Sequence, residues 1–219
     1  MIPYTIIGSG SQGNATIIFE HYMIDCGVTK KSLEPYIDNL SVVFLTHRHG
    51  DHFRKSTIKA LAEARPTLRF ACCEWLVQDL VILGVPYRNI DVLKPEYIHA
   101  YTHASVIPFK LTHDVPNCGY KFITPDGSLF YATDCANLNG IEAEDYTLYM
   151  IEANHKTAEI AQKIADKKSS GEYAYEIRAQ EMHLSEEAAN EWLLKNMGPD
   201  SSYIYMHVHE DRKERINAN

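Results

Sequence analysis

Short runs of β-branched and aromatic residues, rather than long apolar stretches, open the chain. Residues 2–8, 15–19 and 22–25 read as three strands, the first two joined by the turn-rich segment Ser9, Gly10, Ser11, Gln12, Gly13 and Asn14. Apolar positions at helical spacing mark residues 30–38, and the apolar run at 41–45 has the length and composition of a buried strand. Helix and strand then alternate: a helix over 56–64, a strand over 68–72, and a helix over 74–83 that stops at Gly84 and Pro86. From 90 to 131 the helical period disappears. Short strands follow one another between Pro95, Pro108, Pro116 and Pro125, with Asp126-Gly127 a hairpin signal. The last third predicts a buried strand over 147–151, amphipathic helices over 157–168 and 185–196, and a strand over 202–206 before a charged tail. Residues 167–171 (KKSSG) read as a loop between helices. No repeat or long linker divides the chain, so residues 1–219 are expected to form a single domain, a layered α/β structure with helices outside the sheets.

Composition narrows the class. A chain of 219 residues, 45% hydrophobic and 23% charged, is long enough for one soluble core without disulfides. No run approaches the roughly 18 apolar residues of a membrane span, and the first residues lack the pattern of a secretion signal. Five cysteines, an odd number with no C-x-x-C pair, fit free thiols in a reducing compartment, so a cytoplasmic location without membrane association is expected. A net charge of -8 argues against tight nonspecific binding to nucleic acid, which needs many cations to displace counterions. A local basic strip, drawn from Arg48, Arg54, Lys55 and Lys121, would favour a polynucleotide over a small molecule. Eleven histidines stand out against this background, because imidazole is the commonest metal ligand.

The densest signal is His47-Arg48-His49-Gly50-Asp51-His52, at the end of the strand predicted over 41–45. His47 and His49 can point to one side of an extended segment, while the turn at Gly50 swings Asp51 and His52 toward a second point nearby, giving two metal positions. Imidazole and carboxylate together suit zinc, manganese or iron better than calcium or magnesium. His113 and Asp134 each lie just beyond a predicted strand end, and His207 follows the last strand. Ordinary readings compete: Asp134 as a turn former, His207 as a core histidine, and His183, just before the helix predicted over 185–196, as a polar residue at a helix start.

The order Thr46-His47-Arg48-His49-Gly50-Asp51-His52 after a buried strand, preceded by the turn G-S-G-S-Q-G-N at 8–14 and by Ile24-Asp25-Cys26-Gly27, resembles the metallo-β-lactamase-fold hydrolases over nearly the whole chain. Met182-His183-Leu184-Ser185 and Tyr205-Met206-His207 are similar to motifs of that superfamily's YycJ/WalJ branch of cytosolic, nuclease-like or phosphodiesterase-like enzymes. The resemblance implies a four-layered αββα sandwich with a dinuclear site at one edge of its two sheets. It implies that His47, His49 and His113 hold one metal, that Asp51, His52 and His207 hold the other, and that Asp134 bridges both. Zinc is the first expectation for the two divalent ions, with manganese or iron as alternatives.

The implied reaction is phosphodiester hydrolysis by a hydroxide held between the metals, with Asp51 and His183 as the catalytic residues. An imidazole near its ordinary pKa of about 6.5 suits His183 to protonate a leaving oxygen or to hold a phosphoryl oxygen. Nucleic acid, DNA or RNA, cut from its end in the 5′ to 3′ direction, is the first expected substrate. A small cyclic or nucleotide phosphodiester and a noncatalytic metal-binding module are the alternatives. Asp25 is expected to orient the histidine loop by hydrogen bonds, and Asn154-His155 to serve packing or substrate contact. Cys26 and Cys135 are read as small buried residues rather than thiolate ligands. The turn at 9–14 is either a plain hairpin or a supplier of contacts to the site. The branch has serine two positions after its final histidine; here His209 stands there, placed to compete with His207 for the metal or to touch substrate.

Overall fold

The computed structural model describes residues 2–208, so His209 and the charged tail lie outside the described residues. Two six-stranded sheets face each other. The first contains β1 (Tyr4–Gly8), β2 (Ala15–Ile18), β3 (Tyr22–Ile24), β4 (Val42–Leu45), β5 (Arg69–Cys73) and β6 (Ile90–Leu93) in sequence order. The second runs β12-β11-β10-β9-β8-β7, from β7 (His99–Ala100), β8 (Ser105–Leu111), β9 (Asn117–Thr124), β10 (Gly127–Ala132), β11 (Leu148–Glu152) and β12 (Ser202–Met206). Both are mixed: β3 to β6 pair in parallel, as do β10 to β12, while the remaining neighbours are antiparallel. Helices α1 (Lys30–Leu33), α2 (Lys55–Ala64) and α3 (Glu74–Ile82) accompany the first sheet, and α4 (Thr157–Ser170), α5 (Glu176–Met182) and α6 (Glu186–Asn196) the second. The result is the expected αββα sandwich.

Strands covered on both faces carry near-continuous apolar sequence, and β4 (VVFL) shows how it is divided. Phe44 points inward, to a core shared with Tyr22 and Ile24 and with Tyr120, Phe122 and Tyr131 of the opposite sheet. Val43 and Leu45 point outward, to Ile58 and Leu61 of α2 and Leu76 and Leu80 of α3. On the far side Leu184, Ala189 and Leu193 cover Phe130, Tyr149 and Ile151.

Three elements differ from the sequence reading. The helix expected over 30–38 is α-helical only through Leu33, because Pro35 brings no N–H and the chain continues in tight turns such as Tyr36 N–H to Leu33 C=O. Residues 167–170 are not a loop but the last turn of α4, which ends where Gly171 takes the left-handed conformation at φ 75°. Helix α5 was not foreseen; its seven residues present Ile177 and Arg178 to solvent and hold their place through ion pairs, from Glu176 to Lys167 at the end of α4 and from Arg178 to the distant Asp114.

Candidate metal centre

Parallel strands end together, and this topology gathers the site. Strands β3, β4, β10, β11 and β12 lead with their carboxyl ends into Asp25, the loop from Thr46, Asp134, Glu152 and His207, and β8 runs in the same direction as β10 and delivers His113. Asp25, Asp134 and His207 all take left-handed backbone conformations, at φ 60°, 54° and 50°. Each such non-glycine residue costs on the order of 1 kcal/mol, and clusters of them belong to sites where side-chain direction outranks backbone comfort.

The loop is clamped from both sheets. Tyr120 donates to the Leu45 carbonyl at 2.5 Å and Trp75 to the Thr46 carbonyl at 3.3 Å. Asp25, fully buried, accepts from the Thr46 amide and hydroxyl, both at 2.9 Å, and from His52 Nδ1 at 2.6 Å. A carboxylate only accepts, so the His52 proton is fixed on Nδ1 and Nε2 faces the cluster. The turn at 9–14 is more than a hairpin: the Asn14 amide donates to the Asp51 carbonyl at 2.6 Å, and the Ser9 hydroxyl accepts from the His207 amide at 2.7 Å. Gly27 permits this closeness, because a Cβ there would stand 1.6 Å from the Asp51 carbonyl oxygen.

All seven residues expected to hold metal converge. Donor atoms of His47, His49, His113 and Asp134 lie within 4.8 Å of one another, as do those of Asp51, His52, Asp134 and His207. Asp134 Oδ2 stands 3.2 Å from His47 Nε2 and 2.8 Å from His52 Nε2, one residue from each group. Zinc bonds of about 2.0–2.2 Å in a tetrahedral shell set two donors of one ion about 3.3–3.6 Å apart; the separation from His47 is close to this, and the shorter one from His52 is a hydrogen-bond distance that would lengthen on coordination. The stronger indication is lack of satisfaction. His47 Nε2 and His207 Nε2 are buried without a hydrogen bond, although Asp134 and Asp51 carboxylate oxygens stand 3.2 and 3.6 Å away; such nitrogens suit a cation between the two partners. Asn14 Nδ2, at 2.7 Å from His52 Nε2, would turn toward the Asp51 carbonyl, 3.2 Å away, on coordination there.

The electrostatics agree. Burial opposes a charge on His52, yet Asp134 and Asp25 outweigh it and lift the imidazole to about 10. His47 is pushed down to about 4 by burial and by the charge on His52. Against its own desolvation, Asp134 is held well below the usual carboxylate range by His52 and His207. Without metal, protons take the positions that cations would neutralise.

Sequence reading missed Glu152. It closes the apolar strand LYMIE, fully buried, and accepts from the Cys135 amide at 2.8 Å, the Leu184 amide at 3.2 Å, His183 Nδ1 at 2.7 Å and His207 Nδ1 at 3.1 Å. The signal was a lone charge ending a buried strand. Burial opposes a proton on His183, but Glu152 outweighs it and raises the imidazole. Ser185 caps α6 through the Ala188 amide and so fixes where His183 emerges. Asn154 donates to the His207 carbonyl at 3.0 Å, a packing role. Cys26 and Cys135 are buried free thiols, with burial pushing both up and so disfavouring thiolate. Arg48 pairs with Asp79, Lys121 donates to the Glu142 carbonyl, and none of the four expected basic residues lines the cavity over the cluster.

Two mixed sheets flanked by helices, with a His/Asp cluster at one edge of the sandwich, define the class of metallo-β-lactamase-fold proteins. The chain belongs to the β-lactamase superfamily domain family, whose profile matches residues 21–208. Solved structures share the fold. The metallo-β-lactamase fold protein YhfI from Bacillus subtilis is similar with TM-score 0.72 at 15% identity, over 94% of this chain and 86% of that one. Human tRNase Z, short form, gives 0.67 at 13% identity over 97% and 94%. A diphosphatase from the PhnP family gives 0.65 at 15% over 100% and 92%. Zinc-bound PqqB from Methylobacterium extorquens gives 0.66 at 12% over 100% and 95%. No sequence match was found among curated proteins. Among the described residues no helix is long and apolar enough to cross a membrane.

Proposed function

We propose that the protein is a dinuclear metal-dependent phosphodiesterase of the YycJ/WalJ-like branch, acting on nucleic acid from a chain end in the 5′ to 3′ direction. His47, His49 and His113 would hold one ion, Asp51, His52 and His207 the other, and Asp134 both, with zinc first and manganese or iron next. The observation that carries the reading is Asp134: its carboxylate stands between two histidine groups, and in each of them one buried imidazole nitrogen, Nε2 of His47 and Nε2 of His207, has no hydrogen bond. Two such cations lower the pKa of water toward neutrality and offset charge on a phosphoryl group. The remaining chemistry belongs to the chain. Glu152 accepts the Nδ1 proton of His183 and fixes its ring orientation, which leaves Nε2 to protonate the departing oxygen. Asp51, the least buried of the expected second group, orients the incoming water. Phosphodiester chemistry is supported by the tRNase Z and diphosphatase neighbours, and buried free cysteines support a cytoplasmic location.

A second substrate reading, a small nucleotide phosphodiester, is favoured by the cavity wall. Among the described residues Arg178 is the only Arg or Lys lining it, and a long polynucleotide track calls for several. The test is cleavage of bis(p-nitrophenyl) phosphate after chelation and return of zinc or manganese. Metal-dependent release of nitrophenolate supports the reading; no release with two bound ions contradicts it and favours a noncatalytic metal-binding module.

A further inference from the structure

The cavity over the cluster, of about 310 Å³, has the histidines on its floor and a wall that no expected ligand supplies. That wall comes from α5 and the residue before it, Tyr175, with Arg178, Ala179 and Met182. Its seating is specific. Glu176 is buried and meets Lys167 Nζ at 2.6 Å, and the same ammonium stands 3.9 Å over the Tyr175 ring. Arg178 pairs with Asp114 Oδ2, while Asp114 Oδ1 lies 3.4 Å from His49 Nε2 and 3.2 Å from His113 Nε2. The guanidinium is therefore anchored one carboxylate away from two candidate ligands, yet its side chain is 70% exposed and has donors to spare. Tyr175 is held beside it with half its surface open.

We propose that Arg178 and Tyr175 form a subsite for the nucleotide next to the scissile bond, the guanidinium taking the flanking phosphate and the phenol ring stacking on the base. This rests on the phosphodiesterase reading and adds a substrate class to it: a nucleotide unit with a second phosphate, rather than a lone diester. An anchored guanidinium binds phosphate through a two-pronged fork, which a lysine cannot reproduce, and an aromatic face accepts any base. One cation instead of a row matches one flanking phosphate.

The full-length, metal-loaded protein is assayed with the 5′-phosphorylated thymidine dinucleotide as substrate. The same dinucleotide with an uncleavable methylphosphonate link and a fluorophore measures binding by anisotropy. Arg178→Ala should raise KM for the dinucleotide, and weaken binding, at least tenfold with kcat within about threefold; Arg178→Lys should fall between. Tyr175→Ala should weaken both at least fivefold, and Tyr175→Phe should restore them. All four variants should keep the wild-type metal content; the melting temperature should hold in Arg178→Lys and Tyr175→Phe and fall slightly in Arg178→Ala, which removes the Asp114 pair that seats α5. Binding and KM within twofold of wild type in Arg178→Ala and Tyr175→Ala, or no binding by wild type, overturns the subsite. Wild type that binds the uncleavable probe through Arg178 yet hydrolyses no diester overturns the phosphodiesterase reading alone.

Discussion

Gly27→Ala is the sharpest perturbation that leaves every expected ligand in place. A Cβ at that position falls 1.6 Å from the Asp51 carbonyl oxygen and 2.8 Å from the Asn14 amide nitrogen, whereas real Cβ contacts stay beyond 3.0 Å. The histidine loop and the 25–28 segment must therefore part by at least about 1.4 Å, the difference between those two limits. Both neighbouring atoms are backbone, so no rotamer change relieves the clash. Parting breaks the bonds that join the two segments directly, from Cys26 N–H to His52 C=O (2.8 Å) and from Arg54 N–H to Cys26 C=O (2.9 Å). Each broken bond leaves buried groups unpaired at about 1–3 kcal/mol, so two should cost the fold about 2–6 kcal/mol. A shift of about 1 Å in reacting groups costs on the order of a hundredfold in rate, so turnover should fall at least that far. Metal per chain by elemental analysis, thermal melting and bis(p-nitrophenyl) phosphate hydrolysis together read the effect. Full metal content with unchanged melting and turnover would refute the reasoning that this contact sets the position of Asp51 and His52.

Other outcomes follow from the same geometry. Glu152→Gln removes the charge that fixes Nδ1–H of both His183 and the expected ligand His207, and should cut kcat about a hundredfold with the alkaline limb of the rate profile moving to lower pH, and should weaken metal affinity as well; an unmoved limb contradicts the role. Asp25→Asn should weaken metal affinity about ten- to a hundredfold in a chelator competition, because the His52 tautomer is no longer fixed. The metal-free chain should be most stable near pH 6.5. His52, lifted to about 10, contributes stability that is full below its ordinary pKa of about 6.5 and lost as pH rises through the folded value. His47, pushed down to about 4, contributes stability present above about 6.5 and lost as pH falls toward 4. Thermal melts of metal-free protein from pH 4 to 10 should trace a dome, and metal should flatten its alkaline side.

What the sequence revealed depended on how local each signal was. The His47–His52 loop was readable because a short, dense polar motif interrupts an apolar strand at its end, and strand and helix periods implied a layered α/β domain; the αββα sandwich and the bridging place of Asp134 came from the family resemblance. Glu152 was not readable: one carboxylate after four apolar residues looks like an ordinary strand end, and only the sheet's stacking shows it buried against two histidines. Helix α5 escaped for a related reason, since it is held by polar pairs, Glu176 to Lys167 at the end of α4 and Arg178 to the distant Asp114, rather than by an apolar stripe. The helix over 30–38 was overextended because apolar spacing outweighed the stop that Pro35 imposes.

The central claim is that one buried carboxylate joins two metal positions. Its most direct test is isothermal titration of metal-free wild type and Asp134→Asn with zinc, each checked by elemental analysis. The account predicts two ions per wild-type chain with protons released on binding, and loss of tight binding at both positions in the variant. A single ion in wild type, or two tightly held ions in Asp134→Asn, contradicts it.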